Sequence, residues 1–270
     1  MTIFDSVLLG AVQGLTEFLP VSSTGHLILM RELLGINTSG GLAFDAILQL
    51  GTVLAALLYF RKDVWRLTVD AWTIVTGKRK NVPLARQHEL LAIIIGTLPA
   101  LVLGLLLQHT METLFRSAFI VAVMLILGSI LFVFAERMAK QHHDAVTPKD
   151  GIWIGIFQCA ALIPGVSRSG STISGGLFRG LTRSSAARFS FLLSLPIITG
   201  SGLKALADVI KDKPADIQFL QLTIGFIVSF TIGLACIHWL LGYLKKHGLH
   251  LFAWYRVALG VIVILAVLLR

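Results

Sequence analysis

The 270-residue chain is 56% hydrophobic and only 14% charged, with a mean hydropathy of +0.84 and two cysteines, Cys159 and Cys236. A soluble domain carries about 25% charged residues to keep its surface wet, so the composition excludes a soluble enzyme, a disordered chain and a disulfide-stapled secreted domain. The net charge of +9 sits in Lys and Arg placed between apolar runs, the pattern of cytoplasmic loops in a polytopic membrane protein and not of a nucleic-acid-binding surface.

Crossing a bilayer takes about 20 mainly apolar residues. In chain order, the N-terminus MTIFDSVLLG has an acid before its apolar run, which argues against a cleavable signal peptide. Residues 4–35 are apolar but broken by Pro, Gly and clustered hydroxyls. A span follows at 41–60, carrying Asp45 and Gln49. The stretch 61–88, with Trp65 and Trp72 among basic residues, predicts a short interfacial helix and then a polar loop, GKRKNVP. Clean spans are predicted at 89–108 and 117–135, with a loop over 136–150. Residues 150–180 are broken like 4–35. A span at 185–205 carries Arg188 and Ser190, a loop covers 206–217, and clean spans at 218–241 and 251–269 complete the chain. Irregular backbone at membrane depth is tolerated only inside protein or along a wet cavity, so function is to be sought in the two broken regions.

Sliding the chain against itself by 145 residues aligns those regions without a gap. Gly10 meets Gly155, Gln13 meets Gln158, Val21 meets Val166, Ser22 meets Ser167 and Gly25 meets Gly170. The match runs on through Ile28 and Ile173, Gly35 and Gly180, Ser39 and Ser184, Phe44 and Phe189, and Leu48 and Leu193. Paired, Gly/Pro-interrupted apolar segments in matching halves point to a midplane site between repeats. The expected fold is a single all-α membrane domain, an inverted-topology repeat (about 1–145 and 146–270) with six full transmembrane helices and two re-entrant helix pairs. Loops 61–88, 136–149 and 242–250 then share one side, and both termini lie on the other. A rival topology, in which 4–20 and 150–166 span fully, gives the same charge bias.

The first broken region reads VQGLTEFLPVSSTGH. Glu17 at membrane depth is costly and calls for a polar cavity or partner, and Gln13, four residues earlier, shares its helical face. After Pro20, the run Ser22, Ser23, Thr24 and Gly25 offers a helix start with free backbone N–H groups, a ready anion site. His26 is the nearby group with an unperturbed pKa close to neutrality. The second region reads PGVSRSGST, where Gly165 and Gly170 permit tight turns and Ser167, Ser169, Ser171 and Thr172 supply hydroxyls. Arg168 in its middle suits bidentate phosphate recognition. An acid, an imidazole, an arginine and hydroxyls make an inventory for phosphoryl transfer. Ser39 and Ser129 read instead as helix-packing residues. His88, His109, His142, His143, His238, His247 and His250 read as interfacial, and Cys159 and Cys236 as small core residues. Asp45 either pairs with a basic group or lines the cavity. There is no ligand spacing for zinc or haem.

At these residues the sequence resembles the undecaprenyl-diphosphate phosphatase family, bacterial inner-membrane proteins linked to bacitracin resistance. Two motifs carry the resemblance: (E/Q)xxxE as Gln13 to Glu17, continuing through FLPVSSTGH, and PGxSRSxxT as Pro164 to Thr172. Gln13 stands where other members have Glu, leaving one carboxylate. The resemblance implies hydrolysis of undecaprenyl diphosphate to undecaprenyl phosphate and inorganic phosphate at the outer face of the cytoplasmic membrane. It implies Glu17, Ser23, His26 and Arg168 as catalytic residues. Gln13, Ser22, Thr24, Gly165, Ser167, Ser169 and Thr172 are expected around the phosphates. Mg²⁺ or Ca²⁺ is the implied cofactor, with Glu17 as its candidate ligand. The nucleophile stays open among Ser23, His26 and water. Expected partners are the lipid substrate and the membrane, with a homodimer admitted and no nucleic acid. The competing reading is a polyprenyl-phosphate flippase using the same pocket.

Overall fold

The computed structural model describes residues 1–36, 41–113, 117–140, 142–212 and 219–269, except the side chains at 42, 108–113, 205, 208, 209 and 212. Ser39 and the His109 side chain therefore lie outside the described residues. Within them the chain is helical, with no β-strand: α1 (Ile3–Thr16), α2 (Ser23–Leu34), α3 (Gly41–Tyr59), α4 (Arg61–Val75), α5 (Leu84–Thr113), α6 (Ala118–Met138), α7 (Pro148–Ala160), α8 (Arg168–Phe178), α9 (Arg183–Asp212), α10 (Phe219–Leu244) and α11 (His250–Leu268), with one 3-10 turn at Arg79–Asn81.

Five of these helices are long and apolar enough to cross a membrane on their own: Leu84–Leu107, Ala118–Met138, Arg183–Lys204, Phe219–Leu244 and His250–Leu268. The expected span at 41–60 meets the same test only jointly with α4, from which it is bent by 79°. Helix α4 forms where the short helix was expected; Trp65 and Trp72 are exposed, while Asp70 on the opposite face is buried. The loop expected over 206–217 begins later, since α9 continues to Asp212.

The broken regions each form two short helices, and the local structures recur at the same 145-residue offset. Helix α1 opens on a capping box of Thr2 and Asp5, and α7 on one of Thr147 and Asp150. Helix α2 is capped by Ser22 and α8 by Ser167, with nearly equal left-handed φ angles of 76° and 78°. Each hydroxyl accepts from the N–H three residues on, at Gly25 and at Gly170.

Helix α1 packs on α10, and α7 on α5. These crossings are close because small residues face each other: a Cβ on Gly10 would stand 2.7 Å from the Gly225 carbonyl oxygen, and one on Gly155 2.5 Å from that of Gly96. Charges inside the helices are answered by partners, as the cost of burial requires. Arg188 pairs with Asp63 at 2.5 Å and Glu89 at 2.6 Å, and Asp45 with Arg31 at 2.6 Å, which resolves the ambiguity of Asp45 in favour of pairing. Ser129 donates to the Leu125 carbonyl inside α6, in keeping with a packing role.

Candidate active site

Glu17 follows the last turn of α1 and is 6% exposed. Its carboxylate is a junction. Gln13 Nε2, one turn back, donates to Oε2 at 3.0 Å, and Ser23 Oγ donates to the same oxygen at 2.7 Å. Arg168 Nη2, from the other half of the chain, donates to Oε1 at 2.8 Å. A second link joins the two breaks: Ser22 Oγ accepts from the Gly165 N–H at 3.1 Å. Gly165 has φ +97°, and a Cβ there would stand 2.6 Å from the Val121 carbonyl oxygen, so only glycine fits. Ser22 and Ser167 hold left-handed conformations without being glycine, a strain of roughly 1–3 kcal/mol each of the kind found at functional sites.

A cavity of about 180 Å³ opens on this junction. Its polar lining includes Glu17, Ser22, Ser23, Thr24, Ser167 and Arg168 together with Gln49, Gln158 and Ser201, and its apolar lining includes Leu162, Ile163, Ile197 and Ile198. The first turns of α2 and α8 both begin here, and the N–H groups of Ser23, Thr24, Arg168 and Ser169 precede any helical acceptor. Arg168 Nη1 is buried and has no partner among the described residues. Two helix N-termini and a spare guanidinium N–H make an anion site.

Not every expected site residue reaches the cavity wall. Gln13 supports Glu17 from behind, and Gly165 shapes the second break. Ser169 donates to the Leu19 carbonyl at 3.0 Å, and Thr172 Oγ1 bonds the Arg168 carbonyl and the Ser190 hydroxyl, so both join helices rather than face the cavity. His26 lies outside the lining too. Its Nδ1 must carry a proton, because it meets the Ser22 carbonyl at 2.8 Å, and its Nε2 meets the Tyr255 hydroxyl at 2.8 Å. The rings stack at 5.7 Å. Glu17, and not His26, is the group in contact with Ser23, since the imidazole points back along α2, as helical side chains do.

Sequence reasoning missed Gln49 and Ser201 as lining residues, and Tyr255 as the partner of His26. It also missed Arg256, fully buried in a segment read only as a span. The signal was available, since an arginine inside an apolar run is as costly as Glu17 or Arg168.

The residues do not fit a cation held by the protein. Glu17 is the single carboxylate at the site, and three donors already engage it. Among the described residues, no cluster of three or more His, Cys, Asp or Glu could hold a metal ion.

The family model described as bacitracin resistance protein BacA matches residues 6–262. The chain belongs to this family. Among curated relatives, an undecaprenyl-diphosphatase of Chloroherpeton thalassium is 44% identical, covering 97% of this chain and 95% of its own. One of Corynebacterium glutamicum is 42% identical over 97% and 89%, and one of Mycobacterium sp. (strain KMS) 41% identical over 98% and 96%.

Proposed function

We propose that this protein hydrolyses undecaprenyl diphosphate to undecaprenyl phosphate and inorganic phosphate, recycling the lipid carrier for peptidoglycan and other wall polymers and conferring bacitracin resistance. The observation that carries the site assignment is the Glu17 carboxylate, which holds a hydroxyl from one half of the chain and a guanidinium from the other. The names of the relatives support the substrate.

The terminal phosphate lies against Arg168 and the free N–H groups at the starts of α2 and α8, which stabilise charge on its non-bridging oxygens. The prenyl tail lies against the apolar lining residues Leu162, Ile197 and Ile198. Ser23 is the nucleophile. Glu17 takes its proton as Oγ bonds to the terminal phosphorus, and the bond from that phosphorus to the bridging oxygen breaks, releasing undecaprenyl phosphate. Glu17 passes that proton to the freed bridging oxygen and is again a carboxylate. It then takes a proton from the water that attacks the phosphoseryl phosphorus and gives it to Ser23 Oγ as the phosphorus–Oγ bond breaks and inorganic phosphate departs. Tyr255 and His26 hold the Ser22 carbonyl and so the start of α2. A Mg²⁺ or Ca²⁺ ion would arrive with the substrate, because a diphosphate can supply oxygen ligands of its own. Transport needs an anion pocket but no hydroxyl held on a carboxylate, so the Ser23–Glu17 bond favours hydrolysis over flipping.

The recurring capping boxes and left-handed serines support the inverted repeat with six spans and two re-entrant pairs, within one membrane domain of the inner membrane. The cavity then opens toward the outer face. Cysteines placed at Lys80 and Lys245 should label from the same, cytoplasmic side, and labelling from opposite sides overturns this topology. For the chemistry, Ser23→Ala in detergent should abolish phosphate release while leaving a folded protein. Release within threefold of wild type would move the nucleophile to water.

A further inference from the structure

Arg256 is the largest side chain that the fold buries completely, and no Asp or Glu pairs with it among the described residues. A buried charge without a counter-ion is expensive, so a fold that keeps one must satisfy it by other means. Here the means are backbone carbonyls. Nε donates to Leu125 at 3.2 Å, Nη1 to Pro20 at 3.3 Å and Val166 at 3.0 Å, and Nη2 to Met124 at 3.3 Å and Gly165 at 2.8 Å. The guanidinium also lies 4.5 Å from the centre of the Phe132 ring.

Three of those carbonyls belong to the two breaks: Pro20 stands two residues before the Ser22 cap, and Gly165 and Val166 stand just before the Ser167 cap. The left-handed turns free these oxygens from helical bonding. An anion site cannot tolerate carbonyl oxygens aimed into it. Arg256, which is not part of the cavity lining, gathers them on one fork of donors outside the wall. Helix α6 makes room for it, since a Cβ on Gly128 would collide with Arg256 Nη2 and stand 3.0 Å from the Val166 oxygen.

We infer that Arg256 is a positioning residue that bolts the two breaks together, with their carbonyls turned away from the phosphate and the helix starts turned toward it. This rests on the hydrolytic reading of the cavity. Gly128 is the clearance that lets the fork close on both breaks at once.

The test compares wild type with Arg256→Lys and Gly128→Ala, purified in detergent. Lysine keeps the charge but loses the planar fork, so the variant should fold, elute as one species and melt cooperatively. Its kcat for phosphate release per folded molecule should fall about a hundredfold and its KM should rise, as expected when the helix starts no longer face the phosphate. Gly128→Ala should behave in the same way. Inorganic pyrophosphate should raise the melting temperature of wild type and not that of Arg256→Lys, a readout that needs no turnover. The inference is overturned if both variants keep kcat within threefold of wild type and respond to pyrophosphate, or if Arg256→Lys does not fold. A wild type that releases no phosphate overturns the hydrolytic reading instead, and the pyrophosphate comparison still decides the role of Arg256.

Discussion

Replacing Glu17 by glutamine keeps the shape of the side chain and removes its charge. In the native site, Oε1 faces only Arg168, while Oε2 receives Gln13 and Ser23. The carboxamide oxygen takes the Arg168 side, which puts the NH₂ group opposite Gln13 and Ser23. Gln13 can turn its amide oxygen inward and the Ser23 hydroxyl can rotate to accept, so the polar contacts survive. The bonds fall from charge-assisted to neutral strength, which costs the fold about 1–2 kcal/mol. Catalysis loses more, because a carboxamide takes no proton. A general base contributes roughly 10²–10⁴ in rate, or about 3–5 kcal/mol of barrier. Arg168, released from its carboxylate, meets the phosphate with more of its charge uncompensated, so KM should not rise. The assay is phosphate release from undecaprenyl diphosphate in detergent, normalised to the monodisperse fraction. A folded Glu17→Gln with kcat within tenfold of wild type would refute Glu17 as the base.

Other substitutions probe the scaffold around the junction. Gly165→Ala forces a methyl to 2.6 Å from the Val121 oxygen at φ +97°, so it should lower the melting midpoint, cost about 1–3 kcal/mol or more and abolish activity. Wild-type melting would contradict the close approach of the second break to α6. Arg188→Met removes one partner of Asp63 and Glu89, yet Arg66 still reaches Glu89 at 2.6 Å. The loss should be modest, about 1–2 kcal/mol, and should grow more than additively in the double variant with Arg66→Met. With Glu17 fully engaged by donors, protein passed through a chelating column should carry well under one divalent ion per chain by elemental analysis. A stoichiometric ion retained there would restore a protein-held metal.

Much of the site was legible because membrane depth makes polar groups conspicuous. Glu17 and Arg168 stood out by their cost, and they meet at 2.8 Å across the two halves of the chain. Ser22 and Ser167 stood out through the repeat, and both prove to be left-handed caps. The contacts of His26 were not legible, since a partner 229 residues away leaves no local trace. Arg256 escaped for a different reason: its segment met the length of a span, and backbone carbonyls, which every residue carries, leave no signature of the partner they serve. The short helix α4 was readable within 61–88, whereas the end of α9 was not, because Leu206 to Asp212 carry no Gly or Pro to stop it.

The central claim is that Arg168 and the two helix starts form a phosphate-cleaving site. The most direct measurement is inorganic phosphate released from undecaprenyl diphosphate by purified wild type and Arg168→Ala, side by side in detergent. Saturable release by wild type, lost by at least about a hundredfold in the folded variant, is the result the site requires. A folded wild type without release, or an Arg168→Ala that matches it, would contradict the account.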